Sequence, residues 1–140
     1  MWHAREDDVA RVLVLDDEDE VRSVLTRALQ TAGHQVFGAA DGREGLHLVR
    51  TEPIDLVVTD LVMPEVDGLE FIRELAHVRP GTPVIAISGG GVWDARSLLE
   101  VAGTIGAIRT LTKPFELKEF LALVAEVLAT RSPPAGSRPG

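Results

Sequence analysis

Residues 12–17 read Val-Leu-Val-Leu-Asp-Asp, a short apolar run that ends in two carboxylates. Three later apolar runs also end at a residue able to bind phosphate or a divalent cation. These residues are Asp60, Ser88 and Lys113. In an open parallel sheet, ligands bind outside the carboxyl ends of the strands. The four runs therefore predict that these side chains converge on one site.

Segments of helical period separate the apolar runs, which is typical of βαβ units with a parallel sheet. We expect strands β1 to β5 near 11–15, 35–39, 54–59, 83–87 and 107–111, and helices α1 to α5 near 18–32, 42–50, 68–78, 92–101 and 116–129. Right-handed crossovers and five strands favour a flavodoxin-like, doubly wound (βα)5 sandwich of order 2-1-3-4-5, with helices on both faces. Its switch point between β1 and β3 would place Asp16, Asp17 and Asp60 side by side.

Two of the predicted helices have clear apolar faces. Gly33 is expected to end α1. The face of α1 is predicted to comprise Val21, Val24, Leu25, Ala28 and Leu29, and that of α5 to comprise Leu117, Phe120, Leu121, Val124, Val127 and Leu128.

The composition limits the class of protein. The chain has 140 residues, 45% of them hydrophobic, which is the usual size of one domain. Its net charge of −8 argues against direct nucleic-acid binding, and the absence of cysteine excludes disulfides and thiolate metal sites. No apolar run is long enough to span a membrane, and the acidic start does not resemble a signal peptide. We therefore expect a cytoplasmic protein without membrane contact.

The same reasoning divides the chain into three parts. Residues 10–129 are predicted to form the folded domain, after an N-terminal extension over 1–9. Residues 130–140 are rich in Pro and Gly and cannot bury enough apolar surface to fold. They are predicted to form a disordered tail or a linker.

Three carboxylates in one crevice repel each other unless a cation joins them. Oxygen ligands without Cys or His favour Mg2+ or Mn2+. The structural alternative is an acidic start to α1 that interacts with the helix macrodipole, and this suits Glu18, Asp19 and Glu20 better than Asp16 and Asp17.

A magnesium ion beside a carboxylate suits phosphoryl transfer. Lys113 would then supply a positive charge, and Ser88 a hydroxyl donor, for the phosphoryl oxygens. Taken singly, Ser88 and Asp60 could also be turn residues, and Lys113 could be structural. Their combination at the strand ends favours the functional interpretation.

Four motifs resemble, in order, those of the CheY-like receiver domains of two-component response regulators. They lie at 15–22 (Leu-Asp-Asp-Glu-Asp-Glu-Val-Arg), 59–70 (Thr-Asp-Leu-Val-Met-Pro-Glu-Val-Asp-Gly-Leu-Glu), 87–90 (Ile-Ser-Gly-Gly) and 111–115 (Leu-Thr-Lys-Pro-Phe). The resemblance covers about 10–129. It implies a phosphorelay protein that is no enzyme beyond self-catalysed phosphoryl transfer to, and hydrolysis from, its own acceptor.

The resemblance also implies a role for each site residue. Asp60 would be the phosphoacceptor, and a histidine kinase or histidine phosphotransfer protein the donor. Asp17 would bind Mg2+ directly, Asp16 would support it, often through water, and Asp60 and the backbone carbonyl of Val62 would complete the ligands. Ser88 and Lys113 would hold the phosphoryl oxygens, with a cis peptide bond before Pro114.

One position departs from the family pattern. Receivers usually carry an aromatic switch residue three positions before the lysine, and here that position is Thr110. A switch is therefore expected to involve Ser88, the glycines at 89–91 and motion of α4. Partner binding, or weak dimerisation of an otherwise monomeric chain, is expected on the α4-β5-α5 face. The partner would be a downstream protein or a fused output domain that lies outside this chain.

Two alternatives belong to other functional classes. A pseudo-receiver would keep the fold and bind partners without phosphorylation, and Thr110 is the feature that favours it. An aspartate-nucleophile phosphatase would also place Asp, Ser and Lys around Mg2+, and Asp17-Glu18-Asp19 is similar to its Asp-x-Asp motif. That alternative leaves Asp60 without a role.

Overall fold

The computed structural model describes residues 9–61, 68–88 and 108–130. Predicted helix α4, Val62 and the glycines at 89–91 lie outside the described residues. The elements are β1 (Arg11–Leu15), α1 (Asp19–Thr31), β2 (Gln35–Ala39), α2 (Gly42–Thr51), β3 (Leu56–Asp60), α3 (Gly68–Val78), β4 (Val84–Ser88), β5 (Ile108–Thr112) and α5 (Leu117–Thr130).

The five strands form one parallel sheet of order β2-β1-β3-β4-β5, which confirms the predicted flavodoxin-like topology. The register pairs Leu15 of β1 with Thr59 of β3, and Ser88 of β4 with Thr112 of β5. The carboxyl ends of β1, β3, β4 and β5 therefore lie at one edge. This edge carries the side chains that the sequence singled out.

Strands β3, β4 and β5 each end one residue later than predicted. Asp60 and Ser88 are thus the last residues of their strands, whereas the sequence analysis placed them just after. Hydrogen bonds across the sheet explain the extension, because the Leu61 N–H donates to the Ile87 carbonyl at 3.0 Å and the Lys113 N–H donates to the Ser88 carbonyl at 2.8 Å. The backbone at the site is consequently part of the sheet.

The sheet has a hydrophobic layer on each face. Alternate strand residues such as Leu13 and Val57 pack with α2 and α3 on one face, and Val12 and Val58 pack with α1 and α5 on the other. All five residues of β3 are buried. Burial on both faces explains why the strands are nearly continuous apolar runs.

The predicted apolar faces of α1 and α5 are only partly correct. Leu25 and Leu29 are buried against the sheet, but Val24 is 50% exposed and Leu117 is 42% exposed. Both line a groove of about 860 Å³ between α1 and α5. The two helices lie side by side without closing this groove, so the outer edge of each apolar stripe faces solvent.

The ends of α1 follow its sequence. Gly33 has a φ of 98°, a left-handed conformation that suits glycine, and its N–H donates to the Gln30 carbonyl. This confirms the predicted stop. Within the described ranges, no helix combines the length and apolar character needed to cross a membrane.

Candidate functional site

The carboxylates of Asp16, Asp17 and Asp60 lie together at the carboxyl edge of the sheet. One oxygen from each lies within 4.8 Å of the others. Asp16 is 1% exposed and Asp60 6% exposed, whereas Asp17 faces solvent. The structure therefore brings together the three acidic residues that the predicted switch point places side by side.

Lys113 approaches this cluster from the end of β5. Its Nζ donates to Asp60 Oδ2 at 3.0 Å and lies 3.9 Å from Glu18 Oε1. The peptide bond between Lys113 and Pro114 is cis, as the family resemblance implied. Lys113 is thus in direct contact with the carboxylate predicted to be the phosphoacceptor.

The backbone and side chain of Asp16 are held by three hydrogen bonds. Its N–H donates to the Ala39 carbonyl at 3.1 Å, its Oδ1 accepts the Glu18 N–H at 2.9 Å, and its carbonyl accepts Arg22 Nη1 at 2.7 Å. Its other carboxylate oxygen, Oδ2, is buried and has no hydrogen-bond partner among the described residues. Buried polar atoms are normally satisfied, so an unsatisfied carboxylate oxygen indicates a ligand.

The charges at the site shift two pKa values. Burial raises the pKa of Asp16, and the charges of Asp60 and Asp17 raise it further, against the opposing effects of the Glu18 N–H and Lys113. Burial alone would lower the pKa of Lys113, but its hydrogen bond to Asp60 and the nearby acidic charges outweigh that effect and raise it. Lys113 is therefore positively charged at neutral pH, and Asp16 ionises only against a penalty.

These residues fit a hard divalent cation. Three carboxylate oxygens are close together, one of them is buried and unsatisfied, and no sulfur or imidazole ligand belongs to the group. That donor chemistry is typical of Mg2+ and Mn2+ sites. Asp16, Asp17 and Asp60 are the described residues that could hold such an ion.

Ser88 and the Asp16–Asp17 pair lie on opposite sides of β3, the strand that ends in Asp60. Ser88 is half-buried at the end of β4, and its carbonyl accepts the Lys113 N–H at 2.8 Å. Thr110, the position of the missing aromatic residue, lies on β5 opposite Ala86 and is exposed. The structure places Ser88 at the same edge as the acidic cluster, and it places Thr110 two residues before the end of its strand.

Gly68 allows α3 to begin directly against the acceptor residue. A Cβ at this position would lie 2.2 Å from the Asp60 carbonyl oxygen and 2.6 Å from the Leu61 Cα, both backbone atoms. The Gly68 N–H also donates to the Leu61 carbonyl at 3.1 Å. The backbone of Asp60 is therefore enclosed by the neighbouring strands and by the start of α3.

The sequence reasoning missed Arg22. Its motif position was recognised, but no role followed from it, because its contact with the Asp16 carbonyl depends on how α1 folds back over the end of β1. The signal available in the sequence was an arginine in the first turn of α1, shortly after an Asp-Asp pair. Glu18 was interpreted as part of an acidic helix start, and it also lies near Lys113.

Comparisons with known proteins agree with the geometry of the site. The model of the response regulator receiver domain family matches residues 12–125. The response regulator MprA of Mycolicibacterium vanbaalenii is 38% identical over 91% of this chain, and the DNA-binding transcriptional regulator NtrC of Azospirillum brasilense is 35% identical over 90% of it. The matches span 54% of MprA and 26% of NtrC, so the chain corresponds to one part of each.

Solved structures show the same fold. The chemotaxis protein CheY4 of Vibrio cholerae is 29% identical with a TM-score of 0.74, and the match covers 85% of this chain and 98% of CheY4. A CheY-like receiver domain protein of Methanospirillum hungatei is 25% identical with a TM-score of 0.78, covering 86% of this chain and 94% of that protein. Both matches cover nearly the whole of the known protein.

Proposed function

The chain belongs to the response regulator receiver domain family of two-component systems, and from this premise we propose that Asp60 is its phosphoacceptor. The observation that supports this best is the contact between the buried Asp60 carboxylate and Lys113, 3.0 Å away, beside two further carboxylates. A nucleophile, a cation-binding group and a positive charge for phosphoryl oxygens are thus adjacent. Phosphoryl transfer needs these three components.

The proposed donor is a phosphohistidine on a histidine kinase or a histidine phosphotransfer protein. A carboxylate oxygen of Asp60 attacks the phosphorus in line, forming an O–P bond while the N–P bond breaks. The bonding electron pair goes to the imidazole nitrogen of the donor, which then takes a proton from solvent. The product on this chain is an acyl phosphate.

Lys113 and Ser88 then hold the transferred group. The ammonium of Lys113 exchanges its contact with Asp60 Oδ2 for a phosphoryl oxygen, and the Ser88 hydroxyl donates to another. Asp16, Asp17, Asp60 and the Val62 carbonyl would hold Mg2+. Bound Mg2+ would neutralise the charge that develops on the phosphoryl oxygens.

Attack by water on the phosphorus breaks the P–O bond to Asp60, releases inorganic phosphate and returns Asp60 to its free carboxylate. The chain would therefore catalyse only its own phosphorylation and dephosphorylation. We place it in the cytoplasm, where its kinase and a downstream protein partner, or a fused output domain, would meet it. The partner would bind the α4-β5-α5 face, whose described part includes the ion pair of Arg109 and Glu126 and the exposed Thr110.

The test is incubation with acetyl phosphate and Mg2+, followed by intact mass spectrometry and peptide mapping. We expect one added phosphoryl group on Asp60, none in Asp60→Asn and none in EDTA. Asp55→Asn is the matched control, because Asp55 accepts the Arg11 N–H at the opposite end of the sheet and should leave phosphorylation intact. Continued turnover of the donor without a stable adduct would indicate a phosphatase. Complete lack of modification in the wild type would indicate a pseudo-receiver.

A further inference from the structure

Arg22 lies on α1, and its side chain contacts the backbone of the acidic site at the Asp16 carbonyl. We propose that Arg22 is a positioning residue for the metal site, fixing the peptide between Asp16 and Asp17 so that both carboxylates point at the cation. This inference rests on the proposed function, because it concerns the cation that Asp60 would need. Arg22 touches no reacting atom, and its effect would pass entirely through the Asp16–Asp17 turn.

The first step of the argument is the contact with the Asp16 carbonyl. Asp16 is the first residue beyond β1, and Arg22 Nη1 donates to its carbonyl oxygen at 2.7 Å. Since a peptide unit is planar, holding this oxygen also fixes the N–H and Cα of Asp17. The backbone that carries the solvent-facing Asp17 side chain is thereby fixed by a partly buried contact.

The second step is that Arg22 is itself fixed. Its Nη2 donates to Asp19 Oδ1 at 2.5 Å, and its side chain is only 22% exposed. Its aliphatic part lies over Gly38 of β2, where a Cβ would be 3.5 Å from the Arg22 Cδ and 3.7 Å from Nε. The guanidinium is thus held by a carboxylate on one side and by the sheet on the other.

The third step concerns residue type. A guanidinium presents several donors in one plane, so Arg22 can bond the Asp16 carbonyl and the Asp19 carboxylate together. A lysine has a single ammonium and would lose this fixed fork. Outer groups that orient metal ligands typically change metal affinity by about 10–100-fold when removed. Arg22 is therefore expected to influence how tightly the site binds Mg2+.

The primary experiment compares Arg22→Met, which keeps the aliphatic part without donors, with Arg22→Lys and the wild type. Mn2+ binding is measured by electron paramagnetic resonance without a phosphodonor, and phosphorylation by acetyl phosphate is measured across a Mg2+ titration. We expect Arg22→Met to bind Mn2+ about tenfold more weakly, with Arg22→Lys between it and the wild type. The half-saturating Mg2+ concentration should rise in parallel, while the rate at saturating Mg2+ stays near that of the wild type.

Arg79→Met is the matched control. It also removes an arginine that donates to a backbone carbonyl, but Arg79 bonds the Glu52 carbonyl at 3.3 Å, at the end of the sheet opposite the acidic cluster. Its Mn2+ affinity should equal that of the wild type. Equal affinity in Arg22→Met would overturn the inference and leave the proposed function intact. A wild type that binds neither metal would overturn the proposed function, and this inference with it.

A second pair of variants tests the same contact without changing Arg22. Alanine at Gly38 makes only an ordinary contact with the Arg22 side chain, whereas valine would compete with it for space. Valine also suits a strand, so Gly38→Val should keep the fold. We expect weaker Mn2+ binding in Gly38→Val and wild-type binding in Gly38→Ala. Wild-type affinity in both would contradict the proposed hold on Arg22.

Discussion

Replacing Asp16 by Asn is expected to stabilise the metal-free domain at neutral pH. Asp16 is 1% exposed, and its Oδ2 has no hydrogen-bond partner among the described residues. At an effective dielectric constant of about 20, two carboxylate charges about 5 Å apart repel each other by about 3 kcal/mol. Lys113 offsets part of this repulsion, so we expect a gain of about 1–3 kcal/mol in the free energy of unfolding. The asparagine amide can still accept the Glu18 N–H.

The pH dependence gives the sign of the effect. Burial raises the pKa of Asp16 in the folded state above its ordinary value of 3.8. Between that value and the raised one, the folded state binds more protons than the unfolded state, and the wild type therefore loses stability as the pH rises. Below pH 3.8 Asp16 is protonated in both the folded and the unfolded state, so its charge should no longer lower the stability of the wild type relative to Asp16→Asn. The difference between them should be largest above the raised pKa.

The assay is urea unfolding in EDTA, followed by circular dichroism, at a series of pH values. Adding Mg2+ should stabilise the wild type more than Asp16→Asn, because the ion binds only the folded state and loses a ligand in the variant. Asp55→Asn is the control, since Asp55 already has a donor in the Arg11 N–H and should gain no stability. A variant less stable than the wild type in EDTA at neutral pH would refute the reasoning.

Three further predictions use the same unfolding assay. Because the pKa of Lys113 is raised, its contribution to the free energy of unfolding should be present below pH 10.5 and lost as the pH rises through the higher folded-state pKa. The free energy of unfolding of Lys113→Met should therefore change less with pH in the alkaline range. Gly68→Ala should cost roughly 1–3 kcal/mol or more, since its Cβ would overlap the Asp60 carbonyl, and wild-type stability would contradict the close packing. A double-mutant cycle of Arg109 and Glu126 should give about 0–1 kcal/mol, because both are about half exposed; a larger coupling would indicate a more ordered pair.

The topology and the acidic cluster were predictable from local pattern. Apolar runs that alternate with helical segments indicate a parallel sheet, and the position of the switch point then follows from strand number. Asp16, Asp17 and Asp60 were placed together on that basis. The cis bond before Pro114, the phosphoacceptor role of Asp60 and the separate metal-binding roles of Asp16 and Asp17 came only from the family resemblance. The roles of Ser88 and Lys113 at the phosphoryl oxygens followed from their chemistry as well, and all of these roles stay predictions.

The differences from prediction arise where long-range contacts decide. Helical period identifies Val24 and Leu117 as apolar-face residues, but it does not show how closely α1 approaches α5, and both side chains face a groove. Strand ends depend on partners in neighbouring strands, so the last residue of β4 is set by the hydrogen bond between Ser88 and Lys113. The role of Arg22 required knowing where the Asp16 carbonyl points.

That hydrogen bond between Ser88 and Lys113 has a mechanical consequence. The backbones of the two residues that we propose to hold the phosphoryl group are joined directly by a hydrogen bond of 2.8 Å, so the ends of β4 and β5 are connected at the site. We expect a displacement of the Ser88 backbone to move the Lys113 backbone with it. The distance between the Ser88 hydroxyl and the Lys113 ammonium would then change mainly through side-chain rotation. In protein engineering, the two positions should therefore be transplanted into another sheet as a pair, together with the backbone that joins them.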